Sequence, residues 1–339
     1  MFSIPYLCYT AFNITTPVKK SNIENAILNV RGDNVESWEK VNAVQRMQDY
    51  IASHLAEPIT LHMLAQASGY SPWYCTRLFK ELCGKSPFEY IRLLRLSKAA
   101  LRLRDSDDRV LDVALDFVFD SHEGFTRAFS KQFGLSPKEY QSRTPPLRLF
   151  MPYAIRDYYL MLQKGGNHMA EKNEKNTAAV FVQVVERPAR KLIIKRGIKA
   201  TEYFSYCEEV GCDIWGVLSS IKEALYEPIG MWLPDRFRTA GTSFYAQGVE
   251  VPADYTGMVP EGCEIIDLPA CKVMVFQGPP YEDEQYSEAI EQVWEVMKRY
   301  NPELYGFTWA DDDGPRFQLA PMGYRGYIEA RPVRQINSK

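Results

Sequence analysis

The chain has 339 residues, 46% of them hydrophobic, which is enough for two or three packed domains. No apolar run reaches the roughly 18 residues of a membrane span, and residues 1–16 lack the basic flank of a signal peptide, so a cytoplasmic protein with no membrane partner is expected. Seven cysteines without a C-x-x-C pair and four scattered histidines argue against a disulfide framework or a zinc site, and no cofactor or metal is expected.

Residues 1–39 show no sustained period and read as a poorly structured arm. Over residues 40–150 Lys and Arg outnumber Asp and Glu by four, whereas residues 151–339 carry an acidic surplus of six. A basic segment in an acidic chain (net charge −3) suits a polyanionic partner.

That basic segment holds an internal repeat. Residues 71–90, SPWYCTRLFKELCGKSPFEY, align without gaps on residues 121–140, SHEGFTRAFSKQFGLSPKEY. Thr76/Thr126, Arg77/Arg127, Phe79/Phe129, Gly84/Gly134 and Pro87/Pro137 are among the identities. In each copy a Ser of N-cap type (Ser71, Ser121) opens a helix with apolar residues at helical spacing, and a Gly closes it. Ser-Pro then starts the next helix. Shorter helices are predicted just upstream, over residues 60–68 and 110–117, and a longer one over 88–104 joins the two copies. A short helix, a tight turn and a second helix make a helix-turn-helix, whose second helix enters the major groove of double-stranded DNA.

With these motifs, residues 40–143 resemble the two-lobed DNA-binding domain of the AraC family. The resemblance implies an all-α double helix-turn-helix domain, placed here at residues 40–150, and a ligand-responsive transcription regulator. The outward positions near the start of each second helix are the DNA-contact candidates: Trp73, Thr76, Arg77 and Lys80, then His122, Glu123, Thr126, Arg127 and Lys131. Arginine can bridge guanine O6 and N7, Thr and Trp can pack on a thymine methyl, and Lys80 and Lys131 can hold phosphates. Where the family usually has Gly in the second turn, this chain has Val118. A β-branched residue suits φ > 0 poorly, so an altered second turn and weaker docking of that lobe are expected.

Residues 151–177 end in a polar stretch without period and read as a linker. Beyond it, residues 186–197 (ERPARKLIIKRG) match residues 267–278 (DLPACKVMVFQG), and a slightly different offset pairs Trp215 with Trp294, Tyr245 with Tyr324 and Glu250 with Glu329. The expected second domain is therefore α+β, two pseudo-symmetric repeats forming one sheet with helices on one face and an open second face. Each repeat is read as a strand (191–196; 272–277), a helix (about 212–225; 284–300) and two strands ending near residues 251 and 330. Tyr245 and Val249 are assigned to the helix-packed face, and Glu250 and Glu329 to the opposite one. The run at residues 311–315, DDDGP, reads as a solvated turn.

Residues 178–334 resemble the GyrI-like effector-binding domain, with 335–339 as a tail. The resemblance implies a small-molecule pocket between the repeats around Glu329, with Trp215, Trp232, Tyr245, Phe307, Trp309 and Tyr327 as candidate walls. The combined reading is a multidomain, non-enzymatic transcription factor. It senses a small lipophilic or cationic effector of the multidrug kind, changing either DNA binding or contact with RNA polymerase. Two alternatives stand beside it: a small-molecule hydrolase using the same glutamate as base, and a module that binds partner proteins without any ligand.

Overall fold

A computed structural model describes residues 34–157, 159, 179–211, 213–282 and 285–336. The chain divides into two compact units, a helical one and a sheet one. Of the arm expected at residues 1–39, residues 1–33 lie outside the described residues, and Asn34 already begins a helix.

The helical unit consists of α1 (Asn34–Ser53), α2 (Leu61–Ser68), α3 (Pro72–Cys83), α4 (Pro87–Asp105), α5 (Val110–Asp116), α6 (His122–Phe133) and α7 (Pro137–Arg143). The caps are those the repeat requires. Ser71 Oγ accepts from Tyr74 N and Ser121 Oγ from Gly124 N, and Gly84 and Gly134 close the helices at φ 70° and 80°. The α4 helix serves both lobes, since Leu96, Ala99, Ala100 and Leu103 share the second lobe's core with Phe125, Phe129 and Tyr140.

Two expectations are corrected. The second turn is not altered: Val118 adopts φ 59°, and Val118 N still donates to Leu115 O (3.0 Å) and Phe119 N to Ala114 O (3.0 Å). The hydrogen bonds of the turn outweigh the side chain's dislike of the left-handed region. The linker does not begin at residue 151 either. Tyr153 Oη donates to Leu82 O (3.1 Å), and the buried Gln48 carboxamide donates to Tyr153 O (2.8 Å) and accepts from Ile155 N (3.0 Å). Tyr153 and Ile155 are thus part of the first lobe's core, and Met151 packs against the second lobe's; residues 160–178 lie outside the described residues.

The sheet unit runs β1 (Phe181–Arg187), β2 (Arg190–Arg196), α8 (Tyr203–Val210), α9 (Ile214–Ser219), β3 (Ile229–Trp232), β4 (Tyr245–Pro252), β5 (Glu264–Leu268), β6 (Cys271–Gln277), α10 (Tyr286–Arg299), β7 (Phe307–Trp309), β8 (Arg316–Gln318) and β9 (Ile328–Gln335). The strands form one antiparallel sheet in the order β1-β6-β9-β8-β3-β4-β2-β5, with β7 also pairing on β9. The order is symmetric about the β8–β3 junction. Strands β1 and β5, unforeseen in the sequence, each pair across the halves: β1 on β6 and β5 on β2. Strand β9 runs on to Gln335, beyond the expected end near residue 330.

Both faces of the sheet are packed. On the helix side Ile193, Tyr245, Val249 and Val251 meet Tyr206, Ile214 and Leu218, while Met274, Phe276, Tyr327 and Val333 meet Val293 and Met297 of α10. The second face, expected to be open, buries Leu192, Ile194, Met231, Ala246, Phe317 and Ala330.

Candidate functional sites

In the helical unit, α3 and α6 present the residues expected at a DNA interface. Trp73, Arg77, Lys80, His122, Glu123, Arg127 and Lys131 are all exposed, and Thr76 and Thr126 are half-buried. Trp73 stands out, an indole 71% exposed at the first turn of a helix. The Arg77 guanidinium lies 5.1 Å from the ring centroids of both Trp73 and Tyr74. In the second lobe those two ring positions are held by Glu123 and Gly124, so Arg127 has no ring from either to lie on. The Thr76 hydroxyl donates to Pro72 O (2.9 Å), leaving its methyl as the outward group.

In the sheet unit the centre of the helix-side face is polar. Strand register lines up Gln247 on β4, Gly230 on β3, Gln318 on β8 and Glu329 on β9 in one row. Glu329 is fully buried and accepts three hydrogen bonds, from Trp294 Nε1 (2.7 Å), Tyr327 Oη (2.7 Å) and Arg316 Nε. Tyr327 Oη also lies 2.9 Å from Gln318 Oε1. Burial first, then the neighbouring carboxylate, hold the Tyr327 hydroxyl well above the ordinary tyrosine value, and burial does the same for Tyr245. The Arg316 guanidinium lies 4.8 Å from the Trp232 ring centroid, and Trp232 packs edge-on against Tyr245 at 5.5 Å. Trp294 and the Arg316 side chain are 43% and 40% exposed, so the buried carboxylate sits under two partly solvated side chains.

Of the residues expected around Glu329, the structure gathers Trp232, Tyr245 and Tyr327. Phe307 and Trp309 instead belong to the apolar cluster under α10. Trp215 is buried on α9, and no hydrogen bond or ring contact among the described residues joins it to Glu329. Trp294, Arg316, Gln318 and Gln247 were missed. Only Trp294 had a signal in the sequence, its alignment with Trp215.

The pairing of Glu250 with Glu329 is also corrected. Gly230 pairs with Gln247 and with Gln318, and Gln318 pairs with Glu329, so the counterpart of Glu329 is Gln247 and that of Tyr245 is Tyr327. Glu329 therefore lies on the helix side with Tyr245. Glu250 lies on the other face, buried between Arg190 Nε (2.6 Å) and an Arg187 guanidinium nitrogen (2.9 Å), an internal ion pair and not a ligand group. The acidic run is not simply solvated, since Asp311 and Asp313 clamp Arg331 and Arg334.

Among the described residues no group of three or more His, Cys, Asp or Glu could hold a metal, and no helix is long and apolar enough to cross a membrane.

Two helix-turn-helix lobes joined by one shared helix define the chain as a DNA-binding regulator. A family model described as a helix-turn-helix domain matches residues 64–143. The regulatory protein SoxS of Salmonella typhimurium is 34% identical over 100 residues, which are 30% of this chain and 94% of that protein. The transcriptional regulator Rob of the same organism is 38% identical over 119 residues, 33% of this chain and 41% of that protein. The match therefore spans less than half of the Rob protein's length. Among solved structures, the C-terminal domain of AraT, a response regulator from Geobacillus stearothermophilus, is 30% identical with a TM-score of 0.29, covering 30% of this chain and 84% of that one. The chain belongs to the AraC family of helix-turn-helix transcription regulators.

Proposed function

We propose that the chain reads double-stranded DNA with α3 and α6 in successive major-groove segments, and that its sheet unit is a GyrI-like effector domain that binds an organic cation at Glu329. On this reading Arg77 and Arg127 read base edges, Trp73, Thr76, His122, Glu123 and Thr126 shape the base contacts, and Lys80 and Lys131 hold phosphates. Ligand binding then changes DNA binding or contact with RNA polymerase.

The observation that carries the effector reading is the fully buried Glu329 beneath Trp294 and Arg316. Its charge is already balanced by a guanidinium lying over Trp232. Arg316 stands where a cationic ligand would stand, between a carboxylate and an aromatic face. A ligand cation binds by exchange with it. A carboxylate accepting from three donors, one of them charged, makes a poor general base, which counts against the hydrolase reading.

The test is calorimetric titration of the full chain with aromatic ammonium ions. Glu329→Gln should weaken binding at least several-fold, and Arg316→Met, which removes the internal competitor, should tighten it. Parent-like affinity in Glu329→Gln would place the pocket elsewhere.

A further inference from the structure

We propose that Gln247 is a second ligand-recognition group at the far end of the same polar row, so that the effector is an elongated molecule with a cation at one end and a neutral carboxamide-like group at the other. The proposal rests on the cation reading of Glu329 given above.

Gln247 is 1% exposed, and neither its Nε2 nor its Oε1 has a hydrogen-bond partner among the described residues. Leaving a buried amide unmatched costs on the order of 1–3 kcal/mol, a burden a core position could shed by carrying Leu or Met. Two other buried polar side chains, Gln48 and Glu250, show the usual remedy. Gln48 has two backbone partners and a tyrosine hydroxyl, and Glu250 has two arginines.

The position is as telling as the missing partners. Gln247 is the register counterpart of Glu329, in the row that continues through Gly230 and Gln318. Between the two ends, the Tyr245 hydroxyl packs over Gly230, where a Cβ would collide with it and meet Gln318 Nε2 at 3.3 Å, so a ligand that bridges the ends passes over these two side chains. Beyond its ends the row meets Lys195 and Phe276. Three interstrand steps separate Gln247 from Glu329, about 14 Å between their Cα atoms. A primary carboxamide both donates and accepts, so its complement is a group that does the same, such as an amide or urea. The two ends of the row thus differ by one functional group, a carboxylate against a carboxamide, and that difference orients the ligand.

The probes are straight-chain alkylammonium ions of about six to ten carbons, lengths that bridge the two ends, and their ω-carboxamide counterparts of equal length. Calorimetry with the full chain should show the carboxamide binding about five-fold tighter than the plain ion at one chain length, the worth of one net hydrogen bond. Gln247→Met should abolish that preference, leave the plain ions bound as in the parent, and melt no lower than the parent. Should Gln247→Met fail to fold, Gln247→Asn keeps the test open by moving the preferred probe to a longer chain. A carboxamide preference that survives in Gln247→Met, or that is absent at every length in the parent, overturns the assignment while Glu329-dependent binding of plain ions stands. If Glu329→Gln leaves the plain ions equally well bound, the cation reading itself falls, and this assignment with it.

Discussion

At the scale of single residues, Val118 is held at φ 59°, where a β-branched side chain crowds its own backbone. The equivalent turn of the first lobe uses Gly69 at φ 77°. Val118→Gly relieves the strain but adds freedom to the unfolded chain, and the balance favours the glycine by about 1 kcal/mol. Chemical denaturation should show the helical unit stabilised; a loss of stability would mean the side chain contributes packing that outweighs its strain. Arg77 and Arg127 occupy matching positions but are unequally prepared. Arg77 lies against the rings of Trp73 and Tyr74, so less freedom is lost when it docks. Arg77→Ala should therefore cost more, about 1–3 kcal/mol concentrated at one base pair, than Arg127→Ala, whereas Lys80→Ala should weaken all sequences alike. Equal losses for the two arginines in anisotropy titrations would refute the ranking. Tyr327 supplies a pH test. Its hydroxyl ionises well above the ordinary value in the folded chain, so the stabilisation is complete below the unfolded value of about 10 and is lost as pH rises beyond it. The alkaline fall in melting temperature should be shallower in Tyr327→Phe.

At the scale of elements, the segment after Phe150 fastens the first lobe. Gln48 on α1 uses both ends of its amide on the backbone of Tyr153 and Ile155, and Phe150 N donates to Ser97 Oγ (2.7 Å) on α4. Gln48→Leu would leave a carbonyl and an N–H buried without partners, at a cost of about 2–4 kcal/mol in thermal or denaturant melts. A change below about 0.5 kcal/mol would show that the segment detaches freely. The helices of this unit were legible in the sequence because their signals are local: Ser at the N-cap, Gly at the C-cap, Ser-Pro at the next start. The sheet was legible only in part. Strands β1 and β5 are edge strands with few fully buried residues, and their alternation is weak. The equivalence of Gln247 with Glu329 was hidden because it depends on how strands pair, whereas residue identity favoured matching glutamate with glutamate. Gln318 and Arg316 look like surface residues by type; only the register sets them at the centre of a face.

At the scale of the whole molecule, DNA affinity should fall steeply with added salt, because neutralised phosphates release their counterions. A flat response between low and moderate salt would contradict the basic interface. The crossed pairing of β1 with β6 and of β5 with β2 bears on how the chain is made. Neither half of the sheet can be finished without a strand from the other. During synthesis β1 leaves the ribosome well before Cys271–Gln277 exists, and at 5–20 residues per second the delay is on the order of 4–20 s. For that interval β1 has an open hydrogen-bonding edge and nothing of its own chain to bind. The upstream lobes, rich in local contacts, have by then had time to fold, so a nascent regulator holds its helix-turn-helix lobes before its sheet unit is complete.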